Sequence, residues 1–111
     1  MNIRLVDVTL RDGLQMEAAP ITTTQKLKLF ELLSQCGWDR LEVTSFVNPK
    51  WVPQFADAEE FCKALPASPK TPELMAFVPN AKGMERLTQH PIQWAGAFVS
   101  VTEAFNKKNV N

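Results

Sequence analysis

The stretch TTTQKLKLFELLSQCGWDRLEVTS, residues 22–45, contains one helix, its stop signal and the strand that follows. Thr22, with Gln25 three positions on, forms a capping box in which each side chain satisfies a backbone N–H that the first helical turn leaves free. Leu29, Phe30, Leu33 and Cys36 recur at helical spacing, and Gly37 supplies the left-handed residue that stops the helix. Residues 39–45 then read as a strand, with Leu41 and Val43 on one face and Glu42 and Thr44 on the other. A helix that passes through a short turn into a strand is the building unit of a parallel sheet.

The same pattern extends both ways. Upstream, residues 3–9 alternate apolar and polar with β-branched members, which predicts a first strand with Val6 and Val8 opposite Asp7 and Thr9. Downstream, Pro49 and Pro53 make residues 46–56 a loop. Asp57 with Glu60 suggests a second capping box, opening a helix to about Leu65 with Phe61 on its apolar side. Pro66, Pro69 and Pro72 impose an extended connection before a third strand at residues 74–78. Asn80 caps a short helix running to about Gln89, residues 94–101 form a fourth strand, and residues 102–111 read as a loop with about one helical turn.

The order β-α-β-α-β-α-β, without a hairpin signal, gives an α/β fold with a parallel β-sheet. Two architectures satisfy it: a small open doubly wound sheet, or half of an eight-stranded barrel. No GxGxxG follows the first strand, which argues against a nucleotide-binding sheet.

Twelve basic and twelve acidic residues balance, so nothing favours nucleic acid or an anionic membrane as a partner. The longest apolar runs, about six residues, fall far short of the ~20 that a membrane-spanning helix needs. Met1-Asn2-Ile3-Arg4 leads straight into the first strand with no signal-peptide pattern, so the expected location is cytoplasmic. Cys36 and Cys62 have no Cys or His at metal-ligand spacing and are expected to be buried, reduced thiols. His90, before Pro91, is expected at a helix end in a capping or exposed position.

In either architecture ligands bind at the C-terminal ends of the strands. There the first strand delivers Arg11-Asp12-Gly13-Leu14-Gln15. A carboxylate can hold a hard divalent cation and a guanidinium can stabilise an oxyanion, although the same residues also suit a surface turn with a local ion pair. Glu42 and Thr44 are anomalous in a strand buried on both faces, because an uncompensated buried carboxylate costs several kcal/mol. A polar inner face fits a barrel mouth. The stiff aromatic loop at residues 46–54 either walls a binding pocket or buries Trp51 and Phe55 as a lid.

Taken together, Arg11-Asp12-Gly13-Leu14-Gln15, Glu42-Val43-Thr44-Ser45-Phe46-Val47, Pro49-Lys50-Trp51-Val52-Pro53-Gln54, Pro79-Asn80-Ala81-Lys82-Gly83 and Glu103-Ala104-Phe105-Asn106-Lys107-Lys108-Asn109 resemble the hydroxymethylglutaryl-CoA lyase family across the whole chain. The resemblance implies a TIM barrel that cleaves 3-hydroxy-3-methylglutaryl-CoA to acetyl-CoA and acetoacetate, with residues 1–111 as its N-terminal half. It implies Asp12 as a ligand of Mg2+ or Mn2+, and Arg11 as the group that neutralises the carbonyl oxyanion. Glu42 would orient the catalytic groups, while Gln15 and Ser45 would contact the acyl-CoA substrate.

Two departures accompany it. Asp7-Val8-Thr9-Leu10-Arg11 leans towards the related acyl-CoA aldol-type synthases. The family's His-x-His metal pair, asparagine ligand and catalytic cysteine have no counterpart in these 111 residues. The chain by itself is therefore expected to be inactive, a half barrel that forms a homo-oligomer or pairs through its exposed sheet edges.

Overall fold

In the computed structural model, which describes residues 1–66 and 72–109, four parallel strands lie in the order β1-β2-β3-β4. They are β1 (Val6–Asp7), β2 (Arg40–Ser45), β3 (Glu73–Phe77) and β4 (Trp94–Gly96). Helices α1 (Thr23–Leu33), α2 (Ala58–Ala64) and α3 (Ala81–Leu87) connect them, and α4 (Glu103–Asn109) follows β4. Pro69 lies outside the described residues.

Local chemistry explains most of the boundaries. At the start of α1 the Gln25 amide donates to Thr22 Oγ1 at 3.3 Å and the Thr22 amide donates to Gln25 Oε1 at 3.1 Å. Gly37 leaves the helix at φ +81°, a conformation that side chains with a Cβ rarely adopt. Asn80 Oδ1 accepts from the Gly83 amide at 2.9 Å to start α3.

Other boundaries differ from the sequence reading. β1 keeps only two residues because Thr9–Gly13 coils into a π-helical turn, in which the Val8 carbonyl accepts from Arg11, Asp12 and Gly13. The second capping box does not form. Asp57 occupies the N-cap of α2, but its carboxylate pairs with Lys26 and accepts from Thr23 Oγ1 at 2.6 Å. β4 ends at Gly96 rather than 101, and α4 is a full helix instead of a single turn.

The register decides which residues face the helices. Leu41 pairs with Leu74 and Asp7 pairs with Leu41, so Asp7 shares the helix-facing side and not the side of Glu42. A bulge between Glu42 and Thr44 then turns Thr44 into register with Ala76, away from Glu42. Polar residues at alternate positions therefore do not mark one polar face, as the pattern had suggested. The core lies between sheet and helices, where Leu41, Leu74, Ala76, Phe61 and Cys62 are all at most 1% exposed.

Cys62 belongs to that core, and burial pushes its thiol up to about 12. Cys36, expected to be buried, is exposed in the turn after α1. A thiol-specific reagent is therefore expected to modify one cysteine in the native protein and both in urea; native modification of both would contradict this packing.

His90 also differs from expectation. Its ring stacks on Phe46 at 5.7 Å, its buried Nε2 has no hydrogen-bond partner among the described residues, and burial holds its pKa below that of a free imidazole.

Gly83 matters for space. A Cβ there would lie 3.0 Å from the backbone carbonyl oxygen of Phe46 and 3.1 Å from Cδ of the Pro79 ring, neither of which can swing aside. Helix propensity alone favours Gly83→Ala by up to ~1 kcal/mol. Overpacking is expected to outweigh it, for a net loss of about 1–2 kcal/mol in urea unfolding; a stabilised variant would contradict the contact.

Candidate active site

The π turn carries Arg11 back across the end of the sheet. Its Nε donates to Glu42 Oε2 at 2.8 Å, its Nη1 donates to Asp12 Oδ1 at 3.0 Å, and its guanidinium carbon lies 5.4 Å from the centre of the Phe77 ring. The π turn, β2 and β3 thus each contribute to one cluster. Glu42 and Phe77 both reach Arg11 because Glu42 is in register with Met75, two residues before Phe77 on the same face.

Burial grades across the cluster. The side chain of Glu42 is 4% exposed, that of Arg11 22% and that of Asp12 60%. The buried carboxylate is thus compensated by the guanidinium, which in turn reaches the exposed carboxylate at the rim. Arg11 Nη2 has no protein partner among the described residues, leaving N–H donors for an anionic oxygen. The other oxygen of Glu42 lies 3.3 Å from where a Cβ on Gly96 would be, so β4 leaves room for the carboxylate to span the sheet.

The structure brings together Arg11, Asp12 and Glu42. Gln15 is exposed just beyond the π turn, and Ser45 is buried at the end of β2, in register with Phe77. Among the described residues no group of three or more His, Cys, Asp or Glu side chains could hold a metal ion. Glu42 is committed to Arg11, which leaves Asp12 as a single ligand. Magnesium is held by near-octahedral oxygen ligands, so these residues do not make a metal site by themselves.

The loop after β2 flanks the cluster. Trp51 is 68% exposed and Phe55 only 1%, so Phe55 enters the core while Trp51 does not. With Phe46, Lys50, Asn80, Lys82 and Arg86, Trp51 lines a cleft of about 490 Å³ between this loop and α3. Two clamps hold the loop. Buried Lys26 donates to the Gln54 carbonyl at 2.6 Å and pairs with Asp57, while Gln54 Nε2 reaches the Glu17 carbonyl at 2.8 Å. Arg86 donates to the Val47 carbonyl at 3.0 Å and pairs with Glu59, whose carboxyl it holds below the usual range.

Sequence reasoning missed Lys26, Phe77, Arg86 and Gly96. For Lys26 a sign was present, since it lies four residues before Phe30 and seven before Leu33, on the apolar stripe of α1.

A family profile described as HMGL-like matches residues 2–111. The chain belongs to the HMGL-like family. The 3-hydroxy-3-isohexenylglutaryl-CoA/hydroxy-methylglutaryl-CoA lyase of Pseudomonas aeruginosa is 40% identical over 109 residues, 98% of this chain and 36% of that protein. Human mitochondrial hydroxymethylglutaryl-CoA lyase is 38% identical, over 98% of this chain and 33% of its own length.

Among solved structures, the HMG-CoA lyase of Brucella melitensis matches with TM-score 0.87 and 38% identity, over 97% of this chain and 38% of that one. An HMG-CoA lyase of Acinetobacter baumannii in complex with coenzyme A and 3-methylmalate matches with TM-score 0.88 and 31% identity, over 96% and 35%. This HMGL-like chain therefore spans about a third of the length of the relatives it matches, and its four strands are part of a (β/α)8 barrel.

Proposed function

We propose that residues 1–111 supply the Arg11–Asp12–Glu42 rim of a metal-dependent carbon–carbon lyase that cleaves 3-hydroxy-3-methylglutaryl-CoA to acetyl-CoA and acetoacetate. The observation that carries this reading is the Arg11–Glu42 ion pair at 2.8 Å, which joins residues 31 positions apart beside an exposed carboxylate.

Breaking a bond next to a thioester or ketone carbonyl puts negative charge on an oxygen, and a guanidinium in place beforehand stabilises that charge without reorganising. Arg11 has this role and retains free N–H donors for it. Glu42 holds the guanidinium in position from below, and Phe77 supports one face of it. Asp12, at the solvent side, is assigned as one ligand of Mg2+ or Mn2+, the remaining ligands not being among the described residues. Gln15 and Ser45 are assigned to substrate contacts, and a cytoplasmic location completes the proposal.

The test is a chimera in which this chain replaces the matching third of the Pseudomonas aeruginosa lyase. Metal-dependent cleavage is expected, falling about 100-fold or more in kcat when Arg11→Met is added. A folded chimera that binds coenzyme A but cleaves nothing, or one indifferent to Arg11→Met, would contradict the reading. The 111-residue chain alone is expected to show no cleavage with either metal.

A further inference from the structure

The cleft between the loop after β2 and α3 has no part in the chemistry assigned to Arg11. It shares no residue with the Arg11–Asp12–Glu42 cluster. Glu42 points to the side of the sheet opposite Leu41, whereas α3 packs on the side of Leu41 and Leu74 through Leu87. Both walls of the cleft belong to this chain. β2 and β3, whose following segments form them, are the two inner strands of the sheet, so the cleft does not lie at an open edge.

Its charge is positive. Lys50, Lys82 and Arg86 line it, and none of the lining residues is acidic. Arg86 is neutralised by Glu59, but neither lysine ammonium has an ion-pair or hydrogen-bond partner among the described residues. Two uncompensated cations match one phosphate monoester, which carries a charge of about −1.5 to −2 at neutral pH. A carboxylate would balance only one of them. The cleft is also aromatic: Trp51 presents an exposed ring on which a flat partner can stack, and buried Phe46 lines it from the core side.

The frame is set before any ligand arrives. Arg86 joins helix to loop through the Val47 carbonyl at 3.0 Å, and the Lys50 amide donates to Asn48 Oδ1 at 3.0 Å within the loop. Pro49 and Pro79 stiffen the two walls. A cleft of about 490 Å³ that is preformed in this way loses little freedom on filling. We infer that it is a second binding site, for a phosphate monoester carried on a flat ring. The ring stacks on Trp51, and Lys50 and Lys82 take the phosphate oxygens. This site goes beyond the lyase reading and does not depend on it.

Titration of the 15N-labelled chain with naphthyl phosphate tests it. Saturable shifts are expected at the Trp51 indole N–H and at the amides of Lys50, Lys82 and Gly83, with none at the Arg11 Nε–H. Naphthol and inorganic phosphate should each bind about tenfold more weakly or worse, because each engages only half of the site. Lys50→Gln with Lys82→Gln, and separately Trp51→Ala, should each weaken binding about tenfold. The urea midpoint should stay that of the parent, since all three side chains are exposed. Shifts that do not saturate, shifts centred on Arg11, or an unchanged affinity in the lysine double variant would each overturn the site. In the chimera, Trp51→Ala should leave the affinity for coenzyme A unchanged; a loss of about tenfold would place the thioester in the cleft and overturn a separate ligand.

Discussion

Replacing Arg11 by methionine is expected to cost the folded chain about 3 kcal/mol, a large share of the stability of a small domain. The cause is what remains behind. Glu42 is 4% exposed, and without the guanidinium at 2.8 Å its carboxylate has lost its counter-charge in a place where water cannot replace it. Glu42→Gln should cost less, because an amide can still accept a hydrogen bond and carries no charge to bury.

The double variant distinguishes this account from loss of packing alone. Arg11→Met with Glu42→Gln is expected to be more stable than Arg11→Met alone, giving a coupling energy of about 1–2 kcal/mol in urea unfolding. Additive losses would mean that the two side chains do not share an interaction.

The second large effect is expected at Lys26. Its side chain is 4% exposed, pairs with Asp57, and donates to the Gln54 carbonyl at 2.6 Å. Lys26→Met fills much of the same volume but removes both bonds, for an expected loss of about 2 kcal/mol. The effect should also be local. Because Gln54 ties the loop after β2 to Glu17 beyond the π turn, hydrogen exchange should rise at residues 46–57 and at 14–18 before it rises in β2 or β3. Uniformly faster exchange would mean that Lys26 supports the core and not the loops. Lys26→Arg, which keeps the charge, should restore part of the protection.

Those two residues show what the sequence reveals and what it conceals. The helix–turn–strand alternation is legible because its causes are local: Thr22 with Gln25, Gly37 at positive φ and Asn80 each act within a few residues. Parallel pairing follows from the order of those elements. The boundaries that went wrong depend on distant partners. Asp57 looks like half of a capping box until Lys26, 31 residues away, takes its carboxylate. The alternation Glu42, Thr44 looks like one polar face until a bulge turns Thr44 away.

The site divides in the same manner. Arg11, Asp12 and Glu42 could be named because a guanidinium and carboxylates at strand ends are chemically conspicuous in an apolar sheet. Phe77 could not, since an aromatic residue at the end of a strand reads as core until its position beneath the guanidinium is known. The role of Gly96 is also invisible in sequence. It consists of leaving space for Glu42, and that is a property of three strands together.

The central claim is that Arg11 and Glu42 meet at the rim of this sheet. The most direct measurement is the guanidinium N–H spectrum of the 15N-labelled chain. Beside the paired Nε–H groups of Arg40 and Arg86, the Arg11 Nε–H resonance should be resolved, protected from exchange and close to the Phe77 ring protons, and it alone of the three should become exchange-averaged in Glu42→Gln. An Arg11 resonance that stays protected in Glu42→Gln, or one already averaged in the parent chain, would contradict the account.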